Sequence, residues 1–357
     1  MAKIDQFLKA LAEHGGSDLH LTTGARPLMR LHGEMKPFPF REMTSRDMES
    51  LLFEIMKDEW REIFLETMDF DFAYEIPGVS RFRVNVFLQR KGMGAVFRTI
   101  PTEIMTADQL NLPEAVRNFA RLSKGLILVT GPTGSGKSTT LAALVDLINE
   151  TRSDHILTIE DPIEFTHANK MCLVNQREVG TNTRSFATAL RAALREDPDV
   201  ILVGEMRDQE TIELGMTAAE TGHLVFGTLH TNSAPKTVDR IIDVFPPDQQ
   251  SQIRSMLAES LKGVVSQVLL KRKGGKGRVA ALEIMVGTSA LANLIRENKV
   301  HQIPSIIQTG KKDGMQLLDQ HIMDHLMAGA IDAREAHMKA HNKQIFAARL
   351  KEEEGGG

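Results

Sequence analysis

Residues 131–138 read GPTGSGKS and have the composition and spacing of a phosphate-binding loop. Glycines let such a loop turn so that successive backbone N–H groups point toward one centre and bind phosphate oxygens. Lys137 can then reach the β and γ phosphates of a nucleotide, and the Ser138 hydroxyl can bind Mg²⁺. The motif lies between an apolar segment and a Leu- and Ala-rich helical segment, which is the context that this chemistry requires. The predicted nucleotide-binding residues are Gly131, Thr133, Gly134, Ser135, Gly136, Lys137, Ser138 and Thr139, with Ser138 also a ligand of Mg²⁺.

Further polar residues follow short apolar segments beyond this loop. A carboxylate there can hold Mg²⁺ or polarise the attacking water, and a histidine can hydrogen-bond to a γ-phosphate. If the segments are parallel strands, their carboxyl ends line one crevice. A surface or structural role is the alternative for each residue. For His223, which directly precedes the segment 224–229, the sequence favours neither a functional nor a structural role. The candidates are Glu205 after 200–203, Glu160 after 156–159 and His230 after 224–229, with Glu205 also a predicted Mg²⁺ ligand.

Three arginines lie close in sequence to these acidic residues. Arg191 and Arg195 fall on one helical face, and Arg207 follows Glu205 by two positions. A solvated surface position is the common role of such side chains. A contact with the nucleotide or with another subunit is the alternative, and the sequence leaves both open.

The region 114–350 has the pattern of an α/β domain. Short, continuously apolar segments alternate with helical segments, which is typical of a parallel sheet covered by helices on both faces. After Pro246 and Pro247 the chain is predicted to be mostly helical, apart from a hairpin at 271–279. The predicted strands are 126–130, 156–159, 200–203 and 224–229.

Residues 1–100 are predicted to form a separate domain that also mixes helices and strands. Apolar residues recur at helical spacing over 4–11 and 48–55, and Thr44 with Asp47 matches a capping box before the second helix. Alternating apolar residues over 70–76 and 82–88 predict an antiparallel hairpin. Its polar face carries Arg81 and Arg83.

The periodicity fades over 101–113, around two prolines, which predicts a linker between the domains. Residues 351–357 are charged and then all glycine, which predicts a disordered tail. The composition, 42% hydrophobic and 25% charged, is that of a globular protein with a core.

Charge and cysteine usage restrict the partners and the compartment. The chain has 43 Lys and Arg against 47 Asp and Glu, so no overall basic field attracts nucleic acid, and none is expected as a partner. Cys172 is the only cysteine, which excludes an internal disulfide or a four-cysteine zinc site. No apolar run approaches the roughly 18 residues that a spanning helix needs. A cytoplasmic protein is therefore expected.

These motifs together resemble those of the ATPase superfamily of secretion systems and type IV pili, over residues 17–316. Residues 159–164 (IEDPIE) are similar to its Asp box, 202–208 (LVGEMRD) to its modified Walker B motif, and 219–231 to its His box. The resemblance implies an α/β fold, with a PAS-like α+β N-terminal domain followed by a RecA-like P-loop NTPase domain. It also implies ATP hydrolysis with Mg²⁺ and assembly into a homo-hexameric ring.

The same resemblance implies a role for three arginines of the N-terminal domain. Members of the superfamily aim such arginines at the γ-phosphate across the cleft between the domains. Arg81, Arg83 and Arg98 are the residues that match. Catalytic roles are therefore expected for Glu205, Glu160, His230 and these three arginines.

Within the superfamily, the short N-terminal region and the missing four-cysteine zinc site resemble the retraction branch rather than the extension ATPases. This implies a motor that powers pilus retraction and twitching motility at the inner face of the cytoplasmic membrane. Its implied partners are an inner-membrane platform protein and, among other motors, extension and accessory ATPases. Residues 290–297 resemble a segment tied to retraction but carry Leu291 and Ala292 where Ile and Arg are usual.

The sequence leaves three alternative functions open. The first is an accessory retraction ATPase of the same superfamily. The second is a DNA-translocating RecA-type motor, suggested by the basic residues 271–276, although a solvated hairpin tip explains these more simply. The third is a scaffold that binds ATP without turnover, against which Glu205 argues.

Overall fold

The structure is a computed structural model that describes residues 2–31, 34–100, 103–274 and 277–355. The chain forms two compact units. The first comprises Met1–Glu103 with Glu164–Thr166, and the second comprises Ile104–Ile163 with His167–Gly357.

The first unit is an antiparallel six-stranded sheet with three helices, in the strand order β3-β2-β1-β6-β5-β4. The two predicted helices and the predicted hairpin are confirmed, whereas the other elements carry too short or too weak a pattern to be recognised. The elements are α1 (Asp5–Glu13), β1 (Asp18–Thr22), β2 (Leu28–Leu31), β3 (Glu34–Pro37), α2 (Ser45–Ile55), α3 (Asp58–Thr67), β4 (Asp69–Ile76), β5 (Ser80–Gln89) and β6 (Gly92–Ile100).

Local sequence explains how α2 begins and how β5 is oriented. The Thr44 hydroxyl accepts a hydrogen bond from the Asp47 N–H, and the Asp47 carboxylate accepts one from the Thr44 N–H, so the predicted capping box is present. Along β5, Phe82, Val84 and Val86 are fully buried, whereas Leu88, the last residue of the predicted apolar set, is exposed. The intervening positions, which include Arg81 and Arg83, therefore lie on the polar face of the sheet.

The second unit is a seven-stranded sheet in the order β13-β12-β7-β11-β10-β8-β9, parallel except for the pairing of β12 with β13. Apolar clusters cover both of its faces, as the continuous apolar strands predicted. The strands are β7 (Gly125–Thr130), β8 (His155–Glu160), β9 (Leu173–Glu178), β10 (Val200–Val203), β11 (Leu224–Leu229), β12 (Leu261–Lys271) and β13 (Arg278–Val286).

Single helices separate β7 from β8, β9 from β10 and β10 from β11, and two helices lie between β11 and β12. The chain after β13 is helical, as predicted, with 3-10 turns at Val300–Gln302 and Gly310–Asp313. The helices are α4 (Glu114–Phe119), α5 (Lys137–Thr151), α6 (Phe186–Ala193), α7 (Gln209–Glu220), α8 (Ala234–Asp243), α9 (Gln250–Ser260), α10 (Ser289–Arg296), α11 (Ile303–Thr309), α12 (Leu318–Met327), α13 (Ala333–Lys339) and α14 (Gln344–Gly355).

The hairpin predicted at 271–279 is much longer in the structure. β12 and β13 extend it in both directions, and β12 joins the main sheet by pairing in parallel with β7. The predicted hairpin is therefore confirmed at its position. Its connection to the main sheet was not predicted, because the pairing of β12 with β7 joins segments more than a hundred residues apart, which local periodicity cannot reveal. Within the basic segment 271–276, residues 275 and 276 lie outside the described residues.

Two predicted irregular segments also differ. In the predicted linker 101–113, Ala107 and Leu112 are buried in the core of the second unit, while residues 101 and 102 lie outside the described residues. At the C-terminus α14 runs to Gly355, where disorder was predicted from Lys351, because Lys and Glu are good helix formers. The last two glycines are not among the described residues. Within the described part of the chain, no helix combines the length and apolarity needed to cross a bilayer.

Candidate functional site

The loop at 131–138 joins β7 to α5 and lies at the carboxyl edge of the second sheet. Gly131 has φ 143°, and a side chain there would clash with the backbone oxygen of Gln267 and with Ser135. Gly136 has φ 89° and is the N-cap residue of α5. The glycines are therefore needed for conformation and for close approach, and the loop lies at the N-terminus of α5, where backbone N–H groups can bind anions.

Lys137 folds back onto this loop. Its Nζ donates hydrogen bonds to the carbonyl oxygens of Gly131 at 2.9 Å and of Pro132 at 3.3 Å. Partial burial lowers the pKa of Lys137, and the nearby negative charge of Glu205 opposes that shift. The ammonium group is thus held over the loop by neutral acceptors, for which phosphate oxygens would be stronger substitutes.

The remaining loop side chains fit a phosphate ligand. The Ser135 hydroxyl is buried and has no hydrogen-bond partner among the described residues, and the same holds for the hydroxyl of Thr130 at the end of β7. Ser138 is exposed in the first turn of α5, Thr139 is half-buried beside it, and Thr133 is exposed. Buried hydroxyls without partners are costly unless a ligand or water satisfies them, so these residues fit a bound nucleotide phosphate.

The strand ends beside this loop bring the predicted acidic and histidine residues to the same edge. β7, β11, β10 and β8 are consecutive parallel neighbours in the sheet. The phosphate loop follows β7, and His230 follows β11. Glu205 lies just beyond the end of β10, and Glu160 is the last residue of β8. The structure therefore brings these candidates together, as the crevice rule predicted.

Glu205 is the centre of a small charged cluster. Its Oε1 lies 2.9 Å from His230 Nε2 and 2.5 Å from Arg207 Nε. Partial burial raises the pKa of Glu205, but the hydrogen bond from Arg207 and the charges of His230 and Arg207 outweigh burial, so its pKa lies below the usual value. Glu205 is therefore ionised at neutral pH and can accept a proton or bind a cation.

Backbone contacts hold the Glu205 strand end in place. The Thr228 hydroxyl donates to the Gly204 carbonyl at 2.6 Å, and the Gly204 N–H donates to the Ile159 carbonyl at 2.7 Å. Glu160 lies against Gly204, and its Oε1 accepts hydrogen bonds from Thr158 and Gln176. Contacts with neighbouring strands thus position both carboxylates. The sequence alone did not reveal that Thr228 and Gly204 take part in this positioning.

Some candidates have structural partners instead. His223 lies beyond the end of α7, and its Nδ1 is 2.9 Å from the carbonyl oxygen of Ala218 in that helix. This contact supports a structural role for His223. Arg191 pairs with Glu210 on the surface, and Arg195 is exposed. Of the three arginines near the acidic residues, Arg207 is the one that contacts the cluster.

The three arginines of the first unit share one face of its sheet. Arg98 on β6 lies opposite Arg83 on β5, and Arg81 is two positions from Arg83 on the same side. Arg98 Nε donates to Asp18 Oδ1 at 2.9 Å, and Arg83 Nε lies 3.9 Å from Asp71 Oδ1. The Asp18 carboxylate is almost fully buried, which raises its pKa, but hydrogen bonds from Ser17 and Arg98 bring the pKa below its usual value.

Gln267 packs against the phosphate loop, although the sequence alone did not identify it as a candidate site residue. It lies on β12 beside β7 and is almost fully buried, at 1% exposure. Its side chain hydrogen-bonds to both the phosphate loop and α5. The available signal was a pair of polar residues, Ser266 and Gln267, within the otherwise apolar run 264–270, since a buried amide needs specific partners.

Comparison with known proteins shows matches along almost the whole chain. Residues 3–338 match the family described as "Type II/IV secretion system protein". The chain is 55% identical to the type IV pilus retraction ATPase PilT of Pseudomonas aeruginosa, over 96% of this chain and 99% of that protein. It is 39% identical to the type IV pilus ATPase PilU of the same organism, over 94% of this chain and 87% of that protein.

A solved structure also matches both units. The crystal structure of the pilus retraction motor PilT with bound ADP has a TM-score of 0.90, with 48% identity over 97% of this chain and 99% of that chain. The predicted fold class, a PAS-like α+β domain followed by a RecA-like P-loop NTPase domain, is confirmed by this match.

Proposed function

Because the chain belongs to the family of type II/IV secretion system proteins, we propose that it hydrolyses ATP to retract type IV pili, the process that drives twitching motility. The observation that carries this proposal is the phosphate loop beside the ionised Glu205, in a chain similar over 96% of its length to a retraction ATPase. The prediction of an ATPase of this superfamily is confirmed by the comparisons.

In the proposed mechanism, the loop N–H groups and Lys137 hold the β and γ phosphates of ATP. Mg²⁺, when bound through Ser138 and Glu205, would neutralise phosphate charge. Glu205 orients the attacking water and accepts its proton as the new P–O bond forms and the bond to ADP breaks. His230 holds Glu205 in place and, through that hydrogen bond, can respond to loss of the γ-phosphate. Glu160 supplies a second carboxylate at the same edge.

Arg81, Arg83 and Arg98 are proposed to stabilise the γ-phosphate charge as ATP is hydrolysed. What supports this role is their common sheet face and the superfamily resemblance. A guanidinium that donates to the γ-phosphate stabilises the charge that develops there, and it loses this partner once phosphate is released.

Arg98→Ala is expected to bind nucleotide with nearly normal affinity and to hydrolyse ATP roughly 100 to 1,000 times more slowly, because one donor to the developing charge is lost. Steady-state phosphate release and nucleotide titration measure the two effects. Removing Arg98 also leaves the buried Asp18 less well paired, so Arg98→Ala should be compared with the double variant that adds Asp18→Asn. Turnover restored by Asp18→Asn would assign Arg98 a purely structural role. Arg90→Ala, at an exposed position beyond β5, is the matched control.

The proposed assembly is a homo-hexamer that works in the cytoplasm, against an inner-membrane platform protein. An assembly of this kind could couple sequential hydrolysis events to extraction of pilin subunits. Extension and accessory ATPases are proposed to act on the same machinery. The accessory retraction role is the second candidate, and the higher identity to PilT than to PilU favours the first.

Deletion of this chain from its own cells tests the proposal. Cells without it should assemble pili that fail to retract, and the intact chain supplied in trans should restore retraction. Labelled pili followed by fluorescence microscopy give the measurement directly. Normal retraction in the deletion strain would contradict the proposed function. Retraction that persists with reduced force would indicate the accessory role instead.

A further inference from the structure

Gln267 joins three parts of the nucleotide-binding region. Its Nε2 donates a hydrogen bond to the Ser135 carbonyl at 2.6 Å, across 132 positions of sequence. Its Oε1 accepts a hydrogen bond from the Thr140 hydroxyl in the first turn of α5 at 2.9 Å. One buried side chain of β12 therefore connects the phosphate loop to the helix that follows it.

The hydrogen bond to Ser135 has a consequence for the next N–H group. In a trans peptide, the carbonyl of one residue and the N–H of the next point in opposite directions. Because the Ser135 carbonyl points toward Gln267, the Gly136 N–H must point away from β12. Gly136 is the N-cap residue of α5, so this N–H belongs to the group of donors that phosphate-binding loops offer to their ligand.

The surroundings leave Gln267 little freedom to adopt another arrangement. β12 pairs with β7 in register up to Ser266 and Thr130, which are the last paired residues before the loop. A side chain at Gly131 would clash with the Gln267 backbone oxygen, and one at Gly136 would lie 3.1 Å from Gln267 Nε2. The loop and the Gln267 side chain are therefore packed directly against each other.

We propose that Gln267 is a positioning residue that sets the direction of the Ser135–Gly136 peptide and thereby the affinity of the loop for nucleotide phosphates. This inference rests on the proposed nucleotide binding at residues 131–138. Gln267 acts through the loop and does not itself contact the ligand. Its loss should weaken the binding of the ground state and the transition state alike, which raises KM and leaves kcat nearly unchanged.

Gln267→Met tests the proposal because it removes both hydrogen bonds and keeps the length of the side chain. We expect the Kd for ADP, measured with a fluorescent ADP analogue and Mg²⁺, to rise about tenfold. The KM for ATP should rise by a similar factor, while kcat should change less than about threefold. Gln267→Glu keeps the shape but lacks the donor and places a carboxylate against the Ser135 carbonyl, so it should weaken binding at least as much.

Thr140→Val is the matched comparison. It removes the hydrogen bond between Thr140 and Gln267 but keeps the donor to Ser135, so the Kd should rise by less than about threefold. Equal losses in Thr140→Val and Gln267→Met would contradict the role assigned to the Ser135 carbonyl. An unchanged Kd in folded Gln267→Met, with a lower melting temperature without nucleotide, would show that Gln267 serves stability alone.

The proposed function and this inference can fail separately. If the unmodified chain does not bind nucleotide, the proposed function is wrong. If the unmodified chain binds nucleotide and both Gln267 variants bind it equally well, only the present inference is wrong. Should Gln267→Met not fold, the comparison of Gln267→Glu with Thr140→Val decides the question.

Discussion

Lys137→Ala should reduce the affinity for ATP at least about 100-fold and lower turnover about 1,000-fold or more, because the phosphates lose the main fixed cation of the loop. The ammonium group is already held over the loop by the carbonyls of Gly131 and Pro132. Binding therefore requires little rearrangement of this side chain, and its removal leaves a loop with neutral donors alone. Nucleotide titration and phosphate release measure both losses.

The control for this variant is Lys124→Ala. Lys124 is exposed and directly precedes β7, at the opposite end of the strand that leads into the loop. Its removal subtracts the same charge from the same part of the sequence but should leave both affinity and turnover unchanged. Near-normal hydrolysis in Lys137→Ala would overturn the assignment of residues 131–138 as the nucleotide site.

Glu205→Gln should slow ATP hydrolysis about 1,000-fold while the Kd for ATP changes less than about threefold. The amide keeps the size of the carboxylate and can still accept a hydrogen bond from His230 or Arg207, so the strand end stays in place. It cannot accept the proton of the attacking water, and because the amide is neutral it is a poorer ligand for Mg²⁺. The variant should therefore trap ATP in its bound form.

Single-turnover experiments with labelled ATP separate the two effects. Glu213→Gln, at an exposed position of α7, is the matched control and should behave like the unmodified chain. If binding and hydrolysis fall together in Glu205→Gln, its role is in holding the nucleotide rather than in the chemical step. Unchanged hydrolysis would indicate that another carboxylate is the catalytic base. Glu160, at the end of the neighbouring strand β8, would then be the candidate.

Features that depend on neighbouring residues could be predicted from the sequence. The phosphate loop could be recognised because its glycines, Lys137 and Ser138 act within eight consecutive positions. The capping box of α2 and the alternation along β5 are local for the same reason. The order of strand and helix also predicted a parallel sheet, and from that the shared edge of Glu160, Glu205 and His230 follows.

The distant residues that support these groups are identified by the three-dimensional contacts. The sequence marks Gln267 as a polar residue in an apolar run, but its hydrogen bonds to Ser135 and Thr140 exist because β12 pairs with β7. The pairing of Arg98 with the buried Asp18 likewise depends on the contact of β6 with β1. Strand pairing over long sequence separations is set by the packing of the whole core, and no local pattern of residues encodes it.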